Sequence, residues 1–221
     1  MTRVKRTGSR GILLDENARI AHAAVIVVVL SGGKSSRMGR DKALLPFRGA
    51  ALIDHVLEQG AQAGACTGQP SAVVISGTVQ RPGIQSISDL RPDRGPLEGI
   101  FSVLSWLVGR QISVEGKRLL VIPVDLPRIT ADVLLPLLAR TEFALASHYE
   151  GQFLPMCFRL NSRSLGLITE MAANPCLPSQ SMREFLGRLD STAISVGDAG
   201  HDGLRDVDTA SDWDELGKDL R

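Results

Sequence analysis

Residues 23–30 form an unbroken apolar run that leads directly into a loop rich in glycine and basic side chains. A short run with no polar face is typical of a strand that is buried on both faces of a parallel sheet. It is also much shorter than the roughly 20 apolar residues that a membrane-spanning helix needs. The run therefore predicts a central strand whose carboxyl end opens onto the loop.

The remainder of the chain alternates between strand and helix patterns. Further strands are predicted at residues 72–75, 84–87, 119–124, 143–147 and 153–159. Helices are predicted from Leu52, over residues 97–108, from Thr130 as a cap that accepts from the first free amides, over residues 163–172 and 180–189, and from Ser211. This alternation predicts an α/β fold of three layers, Rossmann-like, with a mainly parallel central sheet that binds ligands at the carboxyl ends of its strands.

Charge and cysteine content narrow the class of partner. The chain carries 25 lysines and arginines against 24 aspartates and glutamates, so no overall field attracts nucleic acid or a membrane surface. We expect neither as a partner, and expect a local pocket to select the ligand. Three widely spaced cysteines fit neither a disulfide framework nor a paired-cysteine metal site, which favours a reducing cytoplasm. Residues 1–21 are basic and aperiodic, so we interpret them as a loose N-terminal arm, and residues 22–221 as a single domain.

The loop at residues 31–42, called here the glycine loop, combines backbone freedom with positive charge. Gly32 and Gly33 allow a ligand to approach the backbone, and consecutive amides can form a concavity that binds anions. Formal charge comes from Lys34, Arg37, Arg40 and Lys42. A polyphosphate is the ligand best matched to this pattern, against the alternative of a solvated basic turn. Neither GxxxxGKS/T nor GxGxxG occurs here, which excludes a P-loop and a dinucleotide fingerprint.

Four separated segments resemble the motifs of a nucleotidyltransferase family, most closely those of molybdenum cofactor guanylyltransferases. The signature LxGGxSxRMGxDK is matched by Leu30, Gly32, Gly33, Arg37, Met38, Gly39, Asp41 and Lys42. Residues 88–100 (SDLRPDRGPLEGI) resemble the family's aspartate-then-GPLxG segment. Residues 121–127 (VIPVDLP) resemble its strand ending in a metal-binding aspartate, and residues 206–209 (DVDT) its C-terminal NxNT or DxDT. The segments follow the family's order, so the resemblance implies the nucleotidyltransferase version of the three-layer fold.

The resemblance also implies an activity and a set of site residues. The activity is magnesium-dependent transfer of GMP from GTP to a phosphate of molybdopterin cofactor, with release of pyrophosphate. The expected catalytic residues are Arg37, Lys42 and Asp125. Nucleotide contacts are expected from Leu30, Ser31, Gly32, Gly33, Lys42, Ser76, Asp89 and Asp125. Mg²⁺ is expected on Asp125, with a second carboxylate from Asp208.

Elementary chemistry explains why such side chains would be needed. A phosphate oxygen must approach the α-phosphorus of a triphosphate, and the two anions repel until cations neutralise them. Asp125 follows a predicted buried strand, where its carboxylate can hold Mg²⁺ beside phosphate oxygens. From spacing alone, Asp125 is equally well interpreted as a residue that caps a helix or braces a loop.

The chain departs from the guanylyltransferase pattern near its C-terminal motif and at Ser76. Aspartates at positions 206 and 208 replace asparagines, Ala210 replaces a proline, and Ser76 stands where many members have asparagine. A relative that uses CTP or another phosphorylated acceptor therefore stays open. So does a protein that holds GTP or molybdenum cofactor for cofactor-handling or acceptor proteins without chemistry. The pair Gly32 and Gly33 favours GTP, since cytidylyltransferase relatives tend to have Ala-Gly.

Residues 153–157 (FLPMC) loosely resemble the family's segment that lines the pterin side. We interpret Pro155 and Met156 as core residues rather than pterin contacts. We interpret Cys157 as a packing residue, since a reactive thiol needs an electropositive setting that its apolar neighbours do not supply.

Overall fold

The computed structural model describes residues 16–32, 41–173 and 182–219 of the chain. The strands are β1 Val25–Leu30, β2 Pro46–Phe47, β3 Ala50–Ala51, β4 Ser71–Ser76, β5 Gln85–Ile87, β6 Arg118–Pro123, β7 Ala146–Tyr149, β8 Met156–Arg159 and β9 Thr192–Ile194. The helices are α1 Glu16–His22, α2 Leu52–Cys66, α3 Pro96–Gly109, α4 Ala131–Arg140, α5 Ser162–Ala173, α6 Met182–Arg188, α7 Asp198–Gly203 and α8 Ala210–Asp219. A 3-10 turn occupies Lys42–Leu44.

One sheet of seven strands organises the fold, in the order β5-β4-β1-β6-β8-β7-β9. Strands β5, β4, β1 and β6 are parallel to one another. Strand β8 is antiparallel to both its neighbours, and β7 and β9 are parallel. The mainly parallel α/β fold predicted from the sequence is therefore confirmed. Strands β2 and β3 form a separate hairpin.

Strand β1 lies at the centre of the parallel part, and every one of its residues is buried. Val27 pairs with Val73 of β4 on one side and with Leu120 of β6 on the other. Successive side chains of a strand point to opposite faces, so an all-apolar strand needs a helical layer on each face. Ile26 packs in the core beneath α3, α5 and α6, and Val25 in the core beneath α2 and α4. These two cores give the three layers.

The N-terminal boundary differs from the expected one. Residues 16–21, assigned from the sequence to the arm, belong to helix α1, which packs on β4 and buries Ile20 to 2% exposure. Lys117 fixes the end of this helix by donating to the carbonyls of Ala21 and Ala23. A helix with one buried apolar side chain shows little periodicity, which explains why its sequence resembles that of an arm. Residues 1–15 lie outside the described residues.

Two local expectations about the middle of the chain are wrong. Phe143 was expected to begin a strand, but it is 89% exposed in a turn where its amide donates to the carbonyl of Arg140. Thr130 does precede helix α4, yet its side chain makes no capping hydrogen bond. The amide of Ala131 instead donates to the side-chain oxygen of Gln59 in α2, at 2.9 Å. The acceptor for the first amide of α4 thus comes from a neighbouring helix and not from the Thr130 side chain.

Candidate active site

A cavity of about 320 Å³ opens at the carboxyl ends of β1, β4 and β6. Parallel strands end at the same edge of a sheet, and neighbouring strands whose connections run in opposite directions leave a crevice there. The chain leaves β1 toward β4 and β5 and later returns on the other side of β1 as β6, which creates such a crevice.

The structure brings most of the expected site residues to this cavity. Its lining includes Leu30, Ser31, Gly32, Lys42, Ser76, Asp89, Asp125 and Asp208. Gly33 and Arg37 lie outside the described residues. The fold thus brings together at one cavity residues that are up to 178 positions apart in sequence, from Leu30 to Asp208.

One wall of the cavity is built around Ser76, the last residue of β4. Its hydroxyl donates to a carboxylate oxygen of Asp89 at 3.3 Å, and its carbonyl accepts from the hydroxyl of Ser31 at 3.0 Å. Burial raises the pKa of Asp89 above its ordinary value, the Ser76 hydrogen bond opposes that shift, and the charge of Glu98 adds to it. This wall therefore presents a partly buried carboxylate whose orientation is fixed by a hydrogen bond.

Close packing of helix α3 against this wall depends on a glycine. A Cβ at Gly99 would lie 2.6 Å from the hydroxyl oxygen of Ser76 and 3.6 Å from a carboxylate oxygen of Asp89. Real Cβ atoms do not approach an oxygen that closely, so any other residue would displace the hydroxyl. The N-terminal turn of α3 can thus reach the cavity, where the positive end of its dipole favours an anion.

The opposite wall carries an ion pair between distant parts of the chain. The ammonium group of Lys42 donates to a carboxylate oxygen of Asp208 at 2.7 Å. Lys42 opens the 3-10 turn that Asp41 caps by accepting from the amide of Ala43 at 3.0 Å. Asp208 is held by Asp212, whose carboxylate accepts from the amides of Asp208 and Thr209. Both partners of the pair are therefore positioned by local backbone contacts.

Asp125 lies between these walls, two residues beyond β6. The amide of Val207 donates to its carbonyl at 3.0 Å, which fixes the C-terminal segment beside the end of β6. Burial raises the pKa of the Asp125 carboxyl, Lys42 lowers it, and Asp206 and Asp208 raise it further. The ionised form of a partly buried carboxylate with two acidic neighbours is stabilised by any cation that enters the site.

The donor set is compatible with a metal that arrives with its substrate. Within the described ranges, no group of three or more histidine, cysteine, aspartate or glutamate side chains is arranged to hold a metal ion. Mg²⁺ rarely uses an all-protein cage and is commonly held by one or two carboxylates together with phosphate oxygens and water. Asp125 fits that pattern. The carboxylate of Asp208, expected as the second ligand, accepts from the Lys42 ammonium group at 2.7 Å.

Several cavity residues were not predicted individually from the sequence. Asp41, Asp93, Gly95 and Pro96 line the cavity, as does Leu154 from the loop before β8. All except Leu154 fall inside motifs quoted above, so the motif boundaries were a signal that could have found them. Leu154 lies in the loosely matching segment 153–157, where only its position beside the buried strand β8 places it at the cavity.

Pro155, Met156 and Cys157 of that segment are buried, as expected of core residues, whereas Phe153 is partly buried. Met156 and Cys157 have 0% exposure on β8. Burial raises the pKa of the Cys157 thiol to about 12, and its sulfur lies 3.3 Å from the hydroxyl oxygen of Thr141. A thiol with so high a pKa is not a nucleophile at neutral pH, which supports its interpretation as a packing residue.

No helix in the described portion of the chain combines the length and the apolar character needed to cross a bilayer.

Comparison with solved structures identifies the fold. The crystal structure of molybdopterin-guanine dinucleotide biosynthesis protein A from Archaeoglobus fulgidus matches with a TM-score of 0.65 and 19% identity, covering 88% of this chain and 98% of that one. A nucleotidyl transferase from Methanothermobacter thermautotroptrophicus matches with a TM-score of 0.59 and 16% identity, covering 89% of this chain and 97% of that one. At such identities the agreement concerns the fold alone.

Comparison of sequences identifies the family. The family model described as "MobA-like NTP transferase domain" matches residues 27–193. A molybdenum cofactor guanylyltransferase of Xanthomonas euvesicatoria pv. vesicatoria (strain 85-10) is 35% identical over 189 residues, which are 86% of this chain and 92% of that protein. The matched region contains the carboxyl ends of β1, β4 and β6, which form the cavity. The chain is therefore a nucleotidyltransferase that belongs to the MobA-like NTP transferase family.

Proposed function

We propose that this protein transfers GMP from GTP to molybdopterin cofactor, forms molybdopterin guanine dinucleotide and releases pyrophosphate. The observation that carries the proposal is the cavity that joins Ser76, Asp89, Lys42 and Asp125 at one sheet edge. The 35% identity to a relative named molybdenum cofactor guanylyltransferase supports the choice of both substrates.

The reaction exchanges one phosphoanhydride bond for another. A phosphate oxygen of molybdopterin attacks the α-phosphorus of GTP, and the bond from that phosphorus to the bridging oxygen of the β-phosphate breaks. Pyrophosphate takes the electron pair and leaves. Charge accumulates on the phosphate oxygens during this step, so oriented donors at the cavity lower the barrier.

Lys42 and the backbone of Ser31 and Gly32 are suited to binding the triphosphate. Lys42 is 15% exposed at the cavity, where a single cation acts over short distances on phosphate charge. Its contact with Asp208 presets the position of the ammonium group before a nucleotide binds. We assign Arg37 to the β- and γ-phosphates on the resemblance of its motif. Arg37 and Gly33 lie outside the described residues.

Asp125 is the residue we propose to hold Mg²⁺, with Asp208 reaching the ion directly or through water. Mg²⁺ bound there would neutralise phosphate charge and orient the α-phosphate. The neighbouring charges of Asp206 and Asp208 make an additional cation favourable, because like charges at short range raise the cost of ionisation.

The wall of Ser76, Asp89 and Gly99 is proposed to bind the nucleoside. Asp89 presents a carboxylate that can accept from amino or hydroxyl groups, and Gly99 lets helix α3 pack closely against the Ser76 hydroxyl that donates to this carboxylate. The Gly-Gly pair after β1 favours guanine. Leu154 provides an apolar surface on the other side, which suits the acceptor.

We also propose partner proteins that handle molybdenum cofactor or receive the product. We further propose a cytoplasmic location. A dinucleotide made as a cofactor has to reach the protein that uses it, which is the basis for expecting a receiving protein. The widely spaced cysteines are the basis for the location.

The proposal is tested by offering the purified chain molybdopterin cofactor and Mg²⁺ with GTP, CTP, ATP or UTP in separate reactions. Mass spectrometry of the extracted product identifies the dinucleotide, and a coupled assay measures pyrophosphate. We expect the guanine dinucleotide and pyrophosphate in equal amounts with GTP, and little product with the others. The cytosine dinucleotide as main product would contradict the choice of nucleotide. Tight GTP binding without pyrophosphate release would favour a non-catalytic carrier.

A further inference from the structure

An ion pair between a buried carboxylate and a partly exposed guanidinium group lies directly behind the wall of Ser76, Asp89 and Gly99, called here the nucleoside wall. Glu98, in the first turn of α3, has a side chain that is 2% exposed. Arg91 donates to both of its carboxylate oxygens, at 3.1 Å from Nε and 2.6 Å from Nη2. Two parallel hydrogen bonds fix the direction of a guanidinium group as well as its distance. Neither residue lines the cavity itself.

Arg91 belongs to a loop that is fastened at three consecutive residues. This nucleotide loop, residues 88–95, connects β5 to α3. Asp89 is held by Ser76 of β4, and the amide of Leu90 donates to the buried hydroxyl of Ser102 at 2.9 Å. The remaining guanidinium nitrogen of Arg91, Nη1, donates to the carbonyl of Ala172 in α5 at 2.6 Å. The loop is therefore tied to a strand, to α3 and to α5.

The geometry of Arg91 goes beyond what stability of the core requires. Its guanidinium carbon lies 5.5 Å from the centre of the Phe101 ring, so contacts surround it on several sides. A buried carboxylate such as Glu98 must be paired, but apolar side chains of similar volume stabilise a core as well or better. The pair, however, directs the backbone on either side of Arg91. On one side that backbone carries Asp89, and on the other it carries Asp93 and Gly95, which line the cavity.

We propose that Arg91 and Glu98 are positioning residues for nucleoside triphosphate binding: their ion pair holds the nucleotide loop so that Asp89 meets the nucleoside in a fixed orientation. The inference rests on the proposed function, because it takes GTP as the ligand of this wall. It assigns to residues outside the cavity a share of the affinity for the nucleotide. Small displacements of a binding group weaken a site far more than they weaken a fold.

Direct GTP binding tests the proposal with a variant that removes the pair without leaving a buried charge. The double variant R91M/E98Q keeps similar side-chain volumes and is neutral at both positions. We expect its Kd for GTP and Mg²⁺, measured by isothermal titration calorimetry, to rise about tenfold or more through loss of charge-assisted hydrogen bonds. In turnover, KM for GTP rises with it, while kcat stays within about threefold because Lys42 and Asp125 are untouched.

A matched control removes an ion pair of the same chemistry elsewhere. Arg163 and Asp190 are 2.6 Å apart and exposed, far along the chain from the nucleotide loop. R163M/D190N is expected to bind GTP within about twofold of the wild-type affinity, since exposed pairs contribute little. Should the first double variant fail to fold, R91K replaces it, since lysine keeps the charge beside Glu98 but loses the two-bond geometry. R91K is also expected to raise the Kd for GTP.

The outcomes separate this inference from the proposed function. Wild-type protein that does not bind GTP contradicts the proposed function, and the inference falls with it. Wild-type protein that binds GTP while R91M/E98Q or R91K binds it equally well contradicts the inference alone. A lower melting temperature with an unchanged Kd and KM for GTP also contradicts it, because that is the result of a purely structural pair.

Discussion

The two halves of the central sheet differ in what their strand ends carry. On the parallel half, β4 ends in Ser76, while Ser31 follows β1 directly and Asp125 lies two residues beyond β6; all three residues meet at the cavity. On the other half, β8 runs in the opposite direction, so its amino end faces that edge and contributes only the apolar Leu154 through the preceding loop. The direction of a strand thus decides whether its polar exit residue can join the site.

The two halves also differ in how they hold charge. Beside the parallel half, burial raises the pKa of Asp125 and Asp89, and neighbouring acidic groups raise both further. The interior of the other half contains Met156, Cys157 and Phe158, all with 0% exposure. We conclude that both halves contribute buried core and that the parallel half also provides nucleotide chemistry, at some electrostatic cost. The half formed by β8, β7 and β9 is called here the antiparallel half, after the direction of β8. Each prediction below tests one side of this division.

The largest effect is expected from Asp125→Asn on the parallel half. Loss of the carboxylate proposed to hold Mg²⁺ should reduce kcat about a thousandfold or more. The melting temperature should not fall, because the change removes a partly buried charge. Turnover is measured across a Mg²⁺ series, with Asp132→Asn on the exposed first turn of α4 as the control. Undiminished magnesium-dependent turnover in Asp125→Asn would remove this residue from the metal site.

On the antiparallel half, Phe158→Ala should reduce stability and leave nucleotide binding intact. Phe158 packs edge to face against Phe185 of α6, with 5.4 Å between ring centres. Removing a fully buried phenylalanine side chain costs about 3–5 kcal/mol. Urea denaturation measures the loss, and calorimetry measures the affinity for GTP under conditions where the variant is folded. A large change in the Kd for GTP would show that the division between the halves is wrong.

Two lysines at opposite ends of the parallel strands sharpen the comparison. Lys42 lies at the carboxyl end, beside the cavity. Lys42→Ala should slow turnover about a hundredfold, since the lysine acts on transition-state charge. Lys117 lies at the amino end of β6 and donates to backbone carbonyls. Lys117→Ala should lower the melting temperature without changing kcat. Activity within a few-fold of wild type in Lys42→Ala would exclude Lys42 from the mechanism.

The smallest effect comes from two glycines on the same helix. Gly99→Ala places a Cβ 2.6 Å from the Ser76 hydroxyl oxygen, so the hydroxyl must turn away from Asp89. We expect the Kd for GTP to rise about tenfold, equivalent to about 1.4 kcal/mol. Gly109→Ala meets no atom within 4 Å and should leave the Kd unchanged. Equal affinities in the two variants would show that close packing of α3 is irrelevant to binding.

The same division explains how much of the molecule could be predicted from its sequence. Strands β1, β4 and β6 are buried on both faces and appear in the sequence as short apolar runs, so the fold class and the edge that carries the site could be inferred. Strand β9 could not, since Thr192–Ile194 is only partly buried and its pairing with β7 is set by the tertiary fold. Helix α7 shows no apolar pattern in its six residues.

The site was predictable where residues follow strands and unpredictable where charges meet across the chain. Asp125 and Ser76 follow apolar runs, which allowed their placement. The contact of Lys42 with Asp208 spans 166 positions, and no spacing rule reveals it. The Arg91 and Glu98 pair is only 7 positions apart, but it depends on α5 closing over the loop. Such contacts are decided by packing rather than by local pattern.

The most direct test of the account is a crystal structure of the chain with a non-hydrolysable GTP analogue and Mn²⁺ in place of Mg²⁺. We predict the triphosphate beside Lys42 and the glycine loop, and an anomalous Mn²⁺ peak within coordination distance of the Asp125 carboxylate. Phosphates bound elsewhere, or Mn²⁺ away from Asp125, would contradict the claim that the carboxyl ends of the parallel strands form the catalytic centre.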